Sequence, residues 1–177
     1  MQALFAALIL SLLSITAHAD VTGASPGGFM IEHELVIDAH RGRVWQAAIH
    51  EVGQWWHDDH TISGDASRMS IEARPLGCFC EDLGGNNGVV HLVVTSVSSN
   101  SMLRMSGGLG PLGLMGVSGS MTWEFFDAGQ STRVKFTYAV GGYRPGGLDG
   151  VAVPVDYVIG EALALLKAHV ESLEQEK

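Results

Sequence analysis

Apolar residues recur at helical spacing over the last long stretch of the chain, Leu148 to Leu173. The stripe is Val151, Val155, Val158, Ile159, Ala162, Leu165, Leu166, Val170 and Leu173. Steps of three and four are those of a helix that buries one face. Ahead of it the period is mostly two. Phe29–Ile37 alternates, with Ile31, His33, Leu35 and Ile37 on one side. Ala39–Glu51 and Val52–His57 then read as two short helices, with Asp38 a candidate N-cap for the first. Six further strands are predicted at Arg68–Arg74, Gly77–Leu83, Val89–Val97, Met102–Ser106, Val117–Phe126 and Thr132–Gly141. Short Gly/Asn/Ser turns separate most of them, so they are antiparallel neighbours.

The expected fold is therefore α+β: a curved antiparallel sheet of about seven strands around the C-terminal helix. A long apolar stripe needs a surface to lie on, and the sheet is the available one. A hollow left between the two would be a cavity.

Composition adds a compartment. The sequence has 177 residues, which favours one domain. Ala3–Ile15 is an apolar and small-residue run followed by Ala17-His18-Ala19, an A-x-A cleavage pattern. Residues 1–19 are read as a signal peptide, cleaved after Ala19, although no Lys or Arg precedes the apolar run; a retained anchor is the alternative. Residues 20–28 are read as a linker and 29–177 as the domain. The mature chain is expected to be periplasmic or secreted. Its net charge of −9 argues against nucleic acid, where phosphate neutralisation supplies most of the affinity. Cys78 and Cys80 sit two apart. An oxidising compartment favours a bridge, but extended strand geometry sets their Cα atoms about 6.5–7 Å apart, at the limit for one. Buried thiols, a bridge and metal ligands all stay open.

Several segments resemble one family. These are Arg43-Val44-Trp45-Gln46-Ala47, Arg74-Pro75-Leu76-Gly77-Cys78-Phe79-Cys80-Glu81, Leu103 to Leu112, Tyr138 to Tyr143 and Pro145 to Leu148. Together with the element order, they resemble the START-like helix-grip fold of the SRPBCC superfamily. The bacterial branch they resemble is grouped with activators of the heat-shock chaperone ATPase. The resemblance implies a hydrophobic pocket between sheet and long helix. The branch's chaperone activity is not expected, because an exported protein would meet neither that chaperone nor ATP.

The candidate pocket lining is Trp55, Trp56, Phe79, Val93, Leu109, Leu112, Met121, Tyr138, Tyr143, Val155 and Ile159. In a symmetric hairpin around Gly84–Gly88, Glu81 faces His91 and Phe79 faces Val93. If that face lines the pocket, Glu81 and His91 could act as acid and base; a surface pair is the plainer reading. His57-Asp58-Asp59-His60 offers metal-capable side chains, but adjacent residues diverge, and a solvated loop is expected. No metal and no cofactor is expected. Leu109–Met115 is unusually apolar for a loop. It could form a lid, fold inward onto the core, or make transient membrane or protein contact. The leading reading is a carrier of a small hydrophobic, lipid-like or aromatic molecule. A cyclase, aldol or lyase-type enzyme and a non-ligand interaction domain are the alternatives. No P-loop, dinucleotide fingerprint or Ser-His-Asp pattern appears.

Overall fold

The computed structural model describes residues 19–175. The targeting segment predicted over residues 1–19 lies, apart from Ala19, outside the described residues. The elements are β1 (Ala19–Ser25), β2 (Gly28–Ile37), α1 (Arg41–His50), α2 (Val52–Trp55), β3 (Met69–Ile71), β4 (Cys78–Gly84), β5 (Asn87–Ser98), β6 (Met102–Gly107), β7 (Val117–Ala128), β8 (Ser131–Gly142) and α3 (Asp149–Gln175). Short 3-10 turns occupy Asp58–His60, Ala66–Arg68 and Gly110–Leu114.

One open antiparallel sheet runs in the order β1-β2-β8-β7-β6-β5-β4-β3. All seven predicted strands form. The eighth, β1, occupies most of the span read as a linker and pairs with β2 from Ala19↔His33 to Ser25↔Gly28. Its Gly and Ser residues carry no strand pattern; the partner's hydrogen bonds make it a strand. Asp38 is not the N-cap of α1. The helix starts later, with His40 at the cap, and the Asp38 carboxylate instead accepts from Ser131 Oγ at 2.9 Å.

The inner face of the sheet is filled by aromatic rings. Trp123 packs against Phe136 with centroids 5.0 Å apart, and Trp45 against Phe125 at 5.3 Å. The series continues through Trp55 and Trp56, 5.7 Å apart, to Phe79 at 5.4 Å from Trp56. Helix α3 lies over this layer on Ala152, Ile159, Ala162, Leu163, Leu166 and Val170, all buried. Three polar pairs fasten it: His33 Nε2–Asp156 Oδ1 at 2.8 Å, His60 Nε2–Glu161 Oε2 at 2.7 Å and His169 Nε2–Glu51 Oε2 at 2.8 Å. Gly160 permits the first, since a Cβ there would come within 3.2 Å of the His33 ring.

The β4–β5 hairpin departs from the symmetric expectation. Its turn is the pair Gly85-Asn86, both at positive φ (60° and 68°), a type I′ geometry. The register shifts twice along the ladder, so Phe79 opposes Leu92 and Glu81 opposes Val89. His91 is the extra residue of a bulge opposite the Phe79–Cys80 step. Both His91 and Leu92 consequently turn inward and are buried. On the outer side of β4, Cys78 and Cys80 form a disulfide with a Cα–Cα separation of 5.4 Å, shorter than a regular strand spacing. Of the three readings open from spacing, this is the bridge.

Candidate functional site

Aromatic rings pack the sheet's inner face, and among the described residues the apolar cleft opens away from the sheet. A cleft of about 400 Å³ sits beside the N-terminal half of α3. One wall is Val151, Pro154, Val155 and Val158 of α3. The second is Leu109–Leu112 with Leu114 and Met115. The third is Trp56 with Asp59–Ile62. No strand residue lines it.

The α3 stripe therefore has two destinations. Ile159, Leu166 and Val170 are buried in the core, whereas Val151, Val155 and Val158 are only partly covered and face the cleft. The Leu109–Met115 loop folds inward. Leu109 and Leu112 are buried, while Leu114 is 92% exposed at the rim. Gly108 allows the fold, because a Cβ there would meet the Gly113 backbone nitrogen at 2.6 Å.

Tyr138 pins the start of this loop. Its hydroxyl donates to Gly107 O and accepts from Leu109 N–H, each at 3.0 Å. Burial pushes the phenol up to about 12, against the opposing pull of the Leu109 hydrogen bond. Tyr138→Phe leaves a buried N–H and a carbonyl short of partners. It is expected to cost about 1–3 kcal/mol, read as a lower urea midpoint at unchanged m-value.

His91 pins the next residue. Gly110 N–H donates to His91 Nδ1 at 3.3 Å, which places the ring proton on Nε2, facing Glu81 Oε2 at 3.2 Å. Glu81 also accepts from the backbone N–H groups of Ile62, at 3.0 Å, and Ser63. Both side chains are almost wholly buried, at 1% and 4% exposure. Burial alone would raise the Glu81 pKa; hydrogen bonds from Ser63, Ile62 and His91 outweigh it, and the carboxyl is held below its ordinary value. The two side chains meet through the bulge, not as directly opposed residues. They stand behind the cleft walls and tie two of them together: the 62–63 segment and the Gly110 turn.

The remaining candidates separate by position. Trp56, Leu109, Leu112 and Val155 line the cleft. Trp56 is held there by donation from Nε1 to His60 O at 3.1 Å. Trp55 is turned away, its Nε1 bonded to Ala47 O at 2.9 Å. Phe79 lies behind Trp56. Met121 and Ile159 are core residues, 1% and 2% exposed. Val93 faces outward because the register shift pairs it with Cys78. Tyr143 is 83% exposed ahead of α3 and takes no part. Ile62, Met115, Val151, Pro154 and Val158 also line the cleft and are not among the candidates. Ile62 carries a signal in the sequence: it is the one large aliphatic residue in the polar run from His57 to Ser67.

The His57–His60 run is a capped 3-10 turn. Asp58 Oδ1 accepts from Ala66 N–H at 2.7 Å, and His60 is committed to Glu161. Among the described residues, no group of three or more His, Cys, Asp or Glu is placed to hold a metal.

Solved structures identify the architecture. An uncharacterised protein from Rhizobium leguminosarum superposes with a TM-score of 0.57 at 17% identity, covering 89% of this chain and 99% of that one. The fold is helix-grip-like. CalU16 from Micromonospora echinospora matches at a TM-score of 0.52 and 16% identity, over 88% of this chain and 81% of that one. DynU16, a protein of the dynemicin biosynthetic locus, matches at 0.54 and 15%, over 80% of this chain and 47% of its own length. Identities this low establish the fold alone. No protein-family model and no curated protein matches the chain.

Proposed function

We propose that this chain is an exported binding or carrier protein of START-like type, which holds a small hydrophobic molecule in the cleft beside α3. The observation that carries the reading is the chemistry of the walls. Trp56, Ile62, Leu109, Leu112, Met115, Val151, Val155 and Val158 present apolar surface, and no Lys or Arg is among the lining residues. About 400 Å³ is near the lower end of the range for small-molecule sites, so the guest is small. An apolar, uncharged ligand gains from every buried carbon there and meets no cation to recruit a carboxylate. Export is supported by the N-terminal apolar run, the Ala17-His18-Ala19 pattern and the Cys78–Cys80 bridge.

The enzyme reading through Glu81 and His91 is less well supported. Both carboxylate oxygens and both ring nitrogens already have partners, so a reacting group would have to displace one. We assign the pair to positioning the cleft walls. The location of DynU16 in a biosynthetic locus keeps a role on a small natural product in view, as carrier or as cyclase.

The direct test is titration of the mature chain with N-phenyl-1-naphthylamine, a neutral fluorescent apolar probe. Saturable one-to-one enhancement, reversed by an uncharged competitor, is expected. Absence of binding by the probe and by a broad apolar library would overturn the reading. Amino-terminal sequencing of exported protein should begin at Asp20.

A further inference from the structure

A second, more polar groove of about 580 Å³ runs along α3 beyond the cleft, lined by Gln54, His57, Asp58, His169 and Ser172 together with Leu165 and Ala168. Trp56 borders both spaces. On α3 the cleft ends at Val158 and the groove begins at Leu165. Steps of three and four keep residues on one helix face, and Glu161 falls on that face between the two. Its carboxylate meets His60 Nε2 at 2.7 Å. His60 lines the cleft, while His57 and Asp58 just before it line the groove.

Building on the binding reading, we propose that the His60–Glu161 pair is a septum that closes the apolar cleft at its Val158 end and limits the length of chain it accepts. The apolar walls suit an uncharged apolar guest, and an unbranched chain is the form whose length the pair would limit. Three observations support a dividing role. The pair bridges helix to loop at the point where lining chemistry changes from apolar to polar. Its side chains are part-buried, at 23% and 30% exposure, so they occupy the space between the two openings instead of extending into solvent. Trp56 is held by the His60 backbone carbonyl, not by the imidazole, so truncating either partner leaves that wall in place. With the pair removed, cleft and groove would join along α3, and a longer chain could continue past Val158 towards Leu165.

The test is a series of 1-alkanols of increasing length displacing N-phenyl-1-naphthylamine from the mature chain. For the wild type, affinity should rise about fourfold per added methylene and then level off where the chain meets the pair. In Glu161→Ala the plateau should move to longer alcohols, with short alcohols bound within about twofold of wild type, because their part of the cleft is untouched. Glu161→Gln keeps the bulk and an acceptor for His60, and should level off where the wild type does. The septum is refuted if Glu161→Ala plateaus at the wild-type length, or if Glu161→Gln shifts as far as alanine. If no alcohol binds the wild type, the binding reading falls, and crystal structures judge the septum alone. A void continuous from Val155 to Leu165 in Glu161→Ala would support it; a void still sealed by Trp56 would refute it.

Discussion

Glu81→Ala is expected to destabilise the protein by about 3 kcal/mol or more. The substitution removes the acceptor for two backbone N–H groups, Ile62 and Ser63, and for His91 Nε2. The His91 donor is buried and the two amides are part-buried. A hydrogen bond to a charged group contributes about 1.5–3 kcal/mol, and the orphaned buried His91 donor adds a desolvation cost. For a domain of this size that corresponds to a melting temperature lower by roughly 6–12 °C. Glu81→Gln restores one oxygen but turns an amide N–H₂ towards a donor, so about half the loss should persist. The same contact has a pH signature. Because the folded carboxyl titrates below its ordinary value of 4.5, the part of its contribution that depends on charge is present above about pH 4.5 and is lost as pH falls through the folded value, while the neutral acid still accepts hydrogen bonds. Thermal scans from pH 7 to pH 3 should therefore show the gap between wild type and Glu81→Ala narrowing at the acid end. A substitution that shifts the melting temperature by less than about 2 °C, the scale of a single surface contact, would show the tether is unimportant.

Val155→Trp is expected to weaken binding of N-phenyl-1-naphthylamine on the order of 100-fold while leaving the fold intact. Val155 sits on the α3 wall and is only partly covered, so an indole there projects into the cleft, not into packed core. Excluding a ligand from roughly 120 Å² of apolar contact forfeits about 3 kcal/mol, which is two decades of affinity. Ile159→Val, one turn further on but inside the core, is the contrast. It should cost about 1 kcal/mol of stability and leave affinity near wild type. If Val155→Trp binds the probe as tightly as wild type, the cleft is not the site.

The element plan was legible from residues alone where periodicity is strong. The alternation through Ile31, His33, Leu35 and Ile37 matches β2, and the α3 stripe matches a helix ending two residues beyond Leu173. Strand β1 was illegible because Val21–Gly28 has the composition of a turn, and only its ten-residue partner β2 makes it a strand. The cleft was partly legible. The apolar loop from Leu109 to Met115 was conspicuous, and Leu112 and Val155 were named from it and from the stripe. Met121 and Ile159 fall in the core, where a helix-on-sheet picture expects pocket, and Val93 faces outward because the symmetric hairpin that would turn it inward does not form.

What the sequence determined is the set of faces: which residues alternate, which recur at helical spacing, and which loop is too apolar for solvent. Those are local consequences of backbone period and side-chain polarity. Only the tertiary structure decided where the empty space falls. Trp45, Trp123, Phe125 and Phe136 interlock on the inner face of the sheet, and whether large rings interlock or leave a void depends on three-dimensional packing that no period encodes. The same holds for Glu81 and His91. An inserted residue in β5 reset the register, and the bulge, not the hairpin's symmetry, brought the two side chains within 3.2 Å.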